Sequence, residues 1–204
     1  MNKIYNDRVY DGEERFMIKE LVEEDRSYRR FYGDYEMTRE QLLELVDLAR
    51  LTPSAANRQA LRYAISCDKK MNGKLFECLR WAAYLPDWNG PIASEHPSGY
   101  IVFAQRSDYK MVNPADAGIA AQTILLGAVD MGLGGCIVAS VDRAKIKEIM
   151  GLAEDIEILF VIALGKPKEK VVIDEMKAGD SVKYYRDENE VHHVPKMKLE
   201  DILL

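Results

Sequence analysis

The sequence predicts a layered sheet flanked by helices, on three observations. Segments of helical and strand periodicity alternate along the chain, glycine, proline and capping residues punctuate them, and one late segment, IEILFVIALG, is nearly all apolar. With 204 residues, 48% of them hydrophobic and 30% charged, the chain has enough apolar content for one full core. Residues 1–204 are therefore expected to form a single domain with an arm over about 168–204.

Residues 13–24 place Phe16, Met17, Leu21 and Val22 near one face, as in an amphipathic helix. Thr38 followed by Gln41 makes a capping box for the helix carrying Leu42, Leu45, Val46 and Ala49, which Pro53 stops. Residues 62–67 and 99–105 read as strands, with a helix from about 70 to 83 between them. Asn113 as cap and Pro114 at the first helical position open an alanine- and glycine-rich helix that runs to Gly132. Residues 135–139 form a short strand, Asp142 caps the next helix and Gly151 stops it. The apolar segment 156–165 is expected as a central strand buried on both faces. Beyond Pro167 the chain turns polar, and a partner subunit is the economical surface for such an arm to cover.

Composition excludes several classes. A formal net charge of -6 argues against a broad nucleic-acid surface and leaves any anion site to a local cluster of arginine and lysine. Three widely spaced cysteines without a CxxC argue against a disulfide scaffold or a structural zinc site. Neither a signal peptide nor a membrane span is read, and the cytoplasm is the expected location. No metal is expected at His192 and His193, because neighbours in an extended segment point apart. The run GLGG at 132–135 follows a helix and has Ile137 where a dinucleotide fingerprint needs its third glycine. Leu133 and Gly134 stand where a P-loop needs Lys and Ser or Thr, and no G-x-S-x-G is present. Cys136 reads as a small buried hydrophobe.

Two stretches carry chemistry. Arg26, Ser27, Arg29 and Arg30 crowd one short segment, where guanidinium forks and a hydroxyl suit a phosphate, and Lys196 in the arm offers a further cation. The second stretch, PSAANRQ at 53–59, sets the polar Asn57 and Gln59 between apolar flanks, as either a helix-to-strand loop or a binding loop.

In order along the chain, these segments resemble the FMN-dependent nitroreductase superfamily. The likeness rests on R-S-x-R-x-F at Arg26 to Phe31, P-S-A-x-N-x-Q at Pro53 to Gln59, and the Asp116, Gly118, Ala121, Gln122 helix leading to Gly132. The strand ending Gly165-Lys166-Pro167 and the basic tail complete it over roughly residues 20–204. The resemblance implies an α+β fold, a mixed sheet flanked by helices, and a homodimer whose C-terminal arm embraces the partner, with FMN at the interface. It implies that Arg26 and Ser27 hold the FMN phosphate and ribityl chain, closed by Lys196. Arg29 would approach the pyrimidine edge of the flavin as an electrostatic stabiliser, and the flavin, not a protein side chain, would carry the chemistry. Pro53, Ser54, Ala55, Asn57 and Gln59 would reach the flavin from the other subunit, and backbone around Ile137, Val138 and Ala139 would line its reactive side.

The chain departs from the family pattern in having Asp25 where many relatives carry a second arginine, and in an aromatic insertion over 81–100. Trp81, Tyr84 or Trp88 of that insertion is expected to shape the pocket above the flavin. The implied function is an oxidoreductase in which NAD(P)H reduces FMN and a nitroaromatic, quinone or similar flat acceptor is reduced in turn. Alternatives are a non-turnover FMN store or sensor, and the dehalogenase-like or flavin-fragmenting branches of the superfamily.

Overall fold

The computed structural model describes residues 18–108 and 113–204. Helix α1 (Ile18–Glu24) leads through an irregular segment to α2 (Arg39–Arg50), and β1 (Leu61–Ser66) precedes α3 (Lys69–Phe76). Strand β2 (Gly99–Arg106), helix α4 (Pro114–Asp130), strand β3 (Gly134–Val138), helix α5 (Arg143–Met150) and strand β4 (Ile156–Gly165) complete the main body. The main sheet has the order β1-β2-β4-β3 and is antiparallel at every pairing. The expected central strand is indeed interior, and residues 161–165 of β4 are buried.

Alternation on the strands splits the core in two. Ile101, Phe103, Ile162 and Leu164 face α2 and α4, while Tyr100, Val102, Val161 and Ala163 face α3 and α5. On β3 the same alternation buries Cys136 and Val138 on the second side. Ile137 points the other way and is 43% exposed. Gly127 lets α2 and α4 close up, since a β-carbon there would lie 2.4 Å from the Leu48 side chain.

The local signals act as read. Thr38 Oγ1 accepts from Gln41 N–H while the Gln41 side chain accepts from Thr38 N–H. Asn113 and Asp142 cap α4 and α5, and Gly151 ends α5 in the left-handed conformation. Phe16 and Met17, expected on the first helix, lie outside the described residues. The helix expected to about residue 83 instead stops at Phe76. Tertiary pairing ends it: Arg80 N–H donates to Ser140 O, Asp142 N–H donates to Cys78 O, and Leu79 pairs with Val141.

The arm folds back onto its own chain. Strands β5 (Val171–Met176), β6 (Tyr185–Arg186) and β7 (His192–Met197) make a second sheet, parallel between β5 and β7 and antiparallel between β6 and β7. Helix α6 (Leu199–Ile202) follows, with Leu199, Ile202 and Leu203 more than half exposed. Among the described residues, no helix is long and apolar enough to cross a membrane.

Candidate active site

The segment 26–31 lies along the edge of the main sheet. Ser27 bridges to Gly135, and Tyr28 N–H donates to Gly135 O at 3.0 Å. Here the GLGG run finds its role. A β-carbon on Gly134 would lie 2.6 Å from the Tyr28 ring, so only glycine admits this close approach. The approach sets Arg26, Ser27 and Arg29 beside Ile137, and β7 of the arm brings Lys196 to the same place. These five residues line one cleft of about 460 Å³.

The cleft is cationic. Arg26, Arg29 and Lys196 line it against one carboxylate, Asp25, whose pKa is raised by burial although Gln122 donates to it at 2.7 Å. Arg26 donates to Val22 O through one terminal nitrogen, yet its Nε is buried without a partner among the described residues. An orphaned guanidinium N–H in a cleft with two further cations suits an anionic ligand. FMN, with one phosphate and a planar ring, matches this donor set.

The structure separates the remaining expected residues into groups. Val138 turns its side chain into the core, and Ala139 O accepts from Arg143, so of the 137–139 stretch only Ile137 lines the cleft. Pro53, Ser54 and Gln59 line a different cleft of about 250 Å³ with Asp116. Asp116 and Gln122 both sit on α4, about 9 Å apart along its axis, so one helix serves both clefts. Within one chain the two groups of expected FMN ligands do not meet.

The 53–59 loop is under backbone strain. Ala56, Asn57 and Gln59 all have positive φ, near 50°. Asp116 holds the loop by accepting from Ala55 N–H at 2.9 Å, and Ser54 Oγ accepts from Gln59 N–H at 3.1 Å. The side chains of Asn57 and Gln59 make no hydrogen bond among the described residues and stay outward. Strain of this kind concentrates where a loop is shaped to meet a ligand. Replacing Ala56 by Gly is expected to stabilise the ligand-free protein by roughly 0.5–1 kcal/mol, because relief at the left-handed position exceeds the gain in unfolded-chain freedom. A urea midpoint that falls in Ala56→Gly contradicts the strained geometry.

The three aromatic residues of the insertion do not line the cationic cleft. Trp81 packs on Phe76 with ring centroids 5.6 Å apart, against the second core. Trp88 lies under the Arg186 guanidinium at 4.2 Å. Tyr84 packs on Tyr184 in a tilted pair at 5.0 Å, and it is Tyr184 of the arm that faces the cleft. Sequence reasoning missed Tyr184, Glu169 and the role of His192. The side chain of Glu169 is fully buried and accepts from Arg29 N–H at 2.8 Å and from Arg186 at 2.7 Å. A lone glutamate in a Lys-rich stretch carries no signal of this. His192 and His193 do point apart, the first toward Arg29 and the second to Asp174 at 2.9 Å. Among the described residues, no group of three or more His, Cys, Asp or Glu is placed to hold a metal ion.

The family model described as the nitroreductase family matches residues 22–166, which hold the main sheet, its helices and the Arg26–Arg29 segment. The chain belongs to the nitroreductase family. A named relative, the oxygen-insensitive NADPH nitroreductase of Helicobacter acinonychis, is 25% identical over 184 residues, covering 72% of this chain and 86% of that protein. A nitroreductase family protein from Clostridium novyi superposes with TM-score 0.63 at 22% identity, covering 75% of this chain and 86% of the other. An FMN-dependent nitroreductase from Clostridium difficile gives TM-score 0.59 at 22% identity, with 74% and 87% covered. At these identities the solved structures establish the nitroreductase fold. The family match stops at residue 166, just before the arm that supplies Lys196, Tyr184 and His192 to the cleft.

Proposed function

We propose that this chain is an FMN-dependent NAD(P)H oxidoreductase reducing nitroaromatics, quinones or similar flat, electron-poor acceptors. The observation that carries this reading is the cleft lined by Arg26, Arg29 and Lys196, with Arg26 Nε left without a partner among the described residues. Bound FMN would supply the hydride and electron chemistry, which the side chains themselves lack.

Arg26 and Lys196 would hold the phosphate, and Ser27 would donate its hydroxyl. Arg29 would set a fixed positive charge at the pyrimidine edge, where negative charge gathers on reduction. Ile137 offers an apolar contact for the ring. The strained 53–59 loop, turned away from its own cleft, would complete the cleft of a second copy in a homodimer. The exposed Leu199, Ile202 and Leu203 would cover that partner.

The purified protein is expected to show a flavin absorption spectrum that bleaches anaerobically with NADH or NADPH. Because one cleft serves both substrates in turn, initial-rate plots against acceptor are expected to be parallel at different nicotinamide concentrations. Arg29→Ala is expected to keep FMN while lowering the reduction rate about 10-fold or more, the scale of a lost charge contact. Intersecting plots contradict the shared cleft, and a flavin that refuses to bleach identifies an FMN-binding protein without turnover.

A further inference from the structure

Arg29 is held through one guanidinium nitrogen, one face and its backbone. Its guanidinium donates to Ser27 O at 3.1 Å and to His192 Nε2 at 3.3 Å, and its central carbon lies 4.9 Å over the Tyr184 ring. Its backbone N–H is fixed by the buried Glu169. His192 is 1% exposed, and its ring sits 5.1 Å from Tyr184, so imidazole and tyrosine form one wall behind the guanidinium.

A guanidinium has donors only. His192 Nε2 must therefore be an acceptor, the imidazole neutral, and its proton on Nδ1, which is buried without a partner among the described residues. The groups facing His192 are Glu169 ahead of β5, Arg29 on the edge segment, Arg186 on β6 and His193 beside it. Burial first, then the three basic neighbours, hold its pKa down to about 4, against the opposing pull of Glu169. A charged imidazolium would set two donors face to face beside Arg29. An apolar ring would fill the same space without burying an unpartnered N–H, but it would offer Arg29 no acceptor.

We infer that His192 is a positioning residue: by accepting from Arg29 it aims the guanidinium at the pyrimidine edge of the bound flavin and so sets the reduction potential of FMN. The inference rests on the FMN reading above and concerns the arm, which the family match leaves uncovered.

The test compares wild type, His192→Phe, His192→Gln, Arg29→Ala and the double variant, each loaded with FMN. The midpoint potential is read by equilibration with a reference dye, and FMN affinity by fluorescence. In His192→Phe the preference for reduced over oxidised FMN is expected to fall about threefold to tenfold, which is about 15–30 mV. His192→Gln, which keeps an acceptor, is expected to recover most of that shift, and the double variant is expected to match Arg29→Ala alone. An unchanged potential in His192→Phe, or effects that simply add, overturn the inference. Should His192→Phe not fold, the inference stands on ¹⁵N NMR of the ligand-free wild type. Nδ1–H protonation between pH 5 and 8, altered by Arg29→Ala, supports it, and an Nε2–H tautomer overturns it. A wild-type protein that takes up no FMN overturns the oxidoreductase reading as well; an unchanged potential or an Nε2–H tautomer overturns this inference alone.

Discussion

Arg26→Ala is expected to weaken FMN binding by about 10- to 100-fold. A charge-assisted hydrogen bond to a phosphate is worth about 1.5–3 kcal/mol, and each 1.4 kcal/mol is about tenfold in affinity. The effect would fall on this residue because the neighbouring Asp25 is acidic, so that a phosphate in the cleft would rest on Arg26 and Lys196. Arg26 Nε is buried without a partner among the described residues while a terminal nitrogen donates to Val22 O, so a phosphate taken up here would give the guanidinium an acceptor it lacks. The double variant Arg26→Ala with Lys196→Ala should lose more affinity than either single variant, with a departure from multiplicativity if both hold one phosphate. Lys70→Ala, exposed on α3, controls for net charge and should leave binding unchanged. The measurement is a fluorescence titration of ligand-free protein with FMN. An Arg26→Ala variant with wild-type affinity removes the phosphate from this cleft.

Glu95→Ala should have the largest effect on stability, about 3 kcal/mol, as it removes a buried carboxylate that accepts charge-assisted hydrogen bonds from two cations. Glu95 is 6% exposed in its side chain and accepts from Arg30 at 2.6 and 2.9 Å and from Lys168 at 2.9 Å. It thereby ties three distant pieces together: the insertion at 81–100, the edge segment that carries Arg26 to Arg30, and the entrance to the arm. The Arg30 hydrogen bonds, more than those of Lys168, draw its pKa down from 4.5 to about 2. The folded state thus prefers the charged form. Its contribution, about 3 kcal/mol, is complete above pH 4.5 and is lost as pH falls toward 2. Thermal melts should show Glu95→Ala roughly 10 °C less stable at pH 7, with the gap to wild type narrowing below pH 4.5. A gap constant from pH 7 to pH 3 would mean that the ion pair contributes nothing.

Much of the molecule is legible from local signals. Thr38 with Gln41, Asn113 with Pro114, and Asp142 with Gly151 mark their helix boundaries through chemistry that involves only neighbours in sequence. The apolar run of β4 declares an interior strand because burial on both faces demands it. Arg26, Ser27 and Arg29 are recognisable as a cluster of donors suited to an anion because they are close in sequence.

Tertiary structure alone decides the rest. The end of α3 at Phe76 depends on residues 78–80 meeting 140–142, a pairing that no local pattern announces. Gly134 of the GLGG run has its purpose only when Tyr28 lies against it. Glu169, Tyr184 and His192 meet Arg29 from 140 residues or more along the chain, so their roles exist only once the arm has folded back. Periodicity, capping and charge clusters are properties of short segments and can be read in order. A site assembled from both ends of a chain is a property of distances, which only the folded molecule sets.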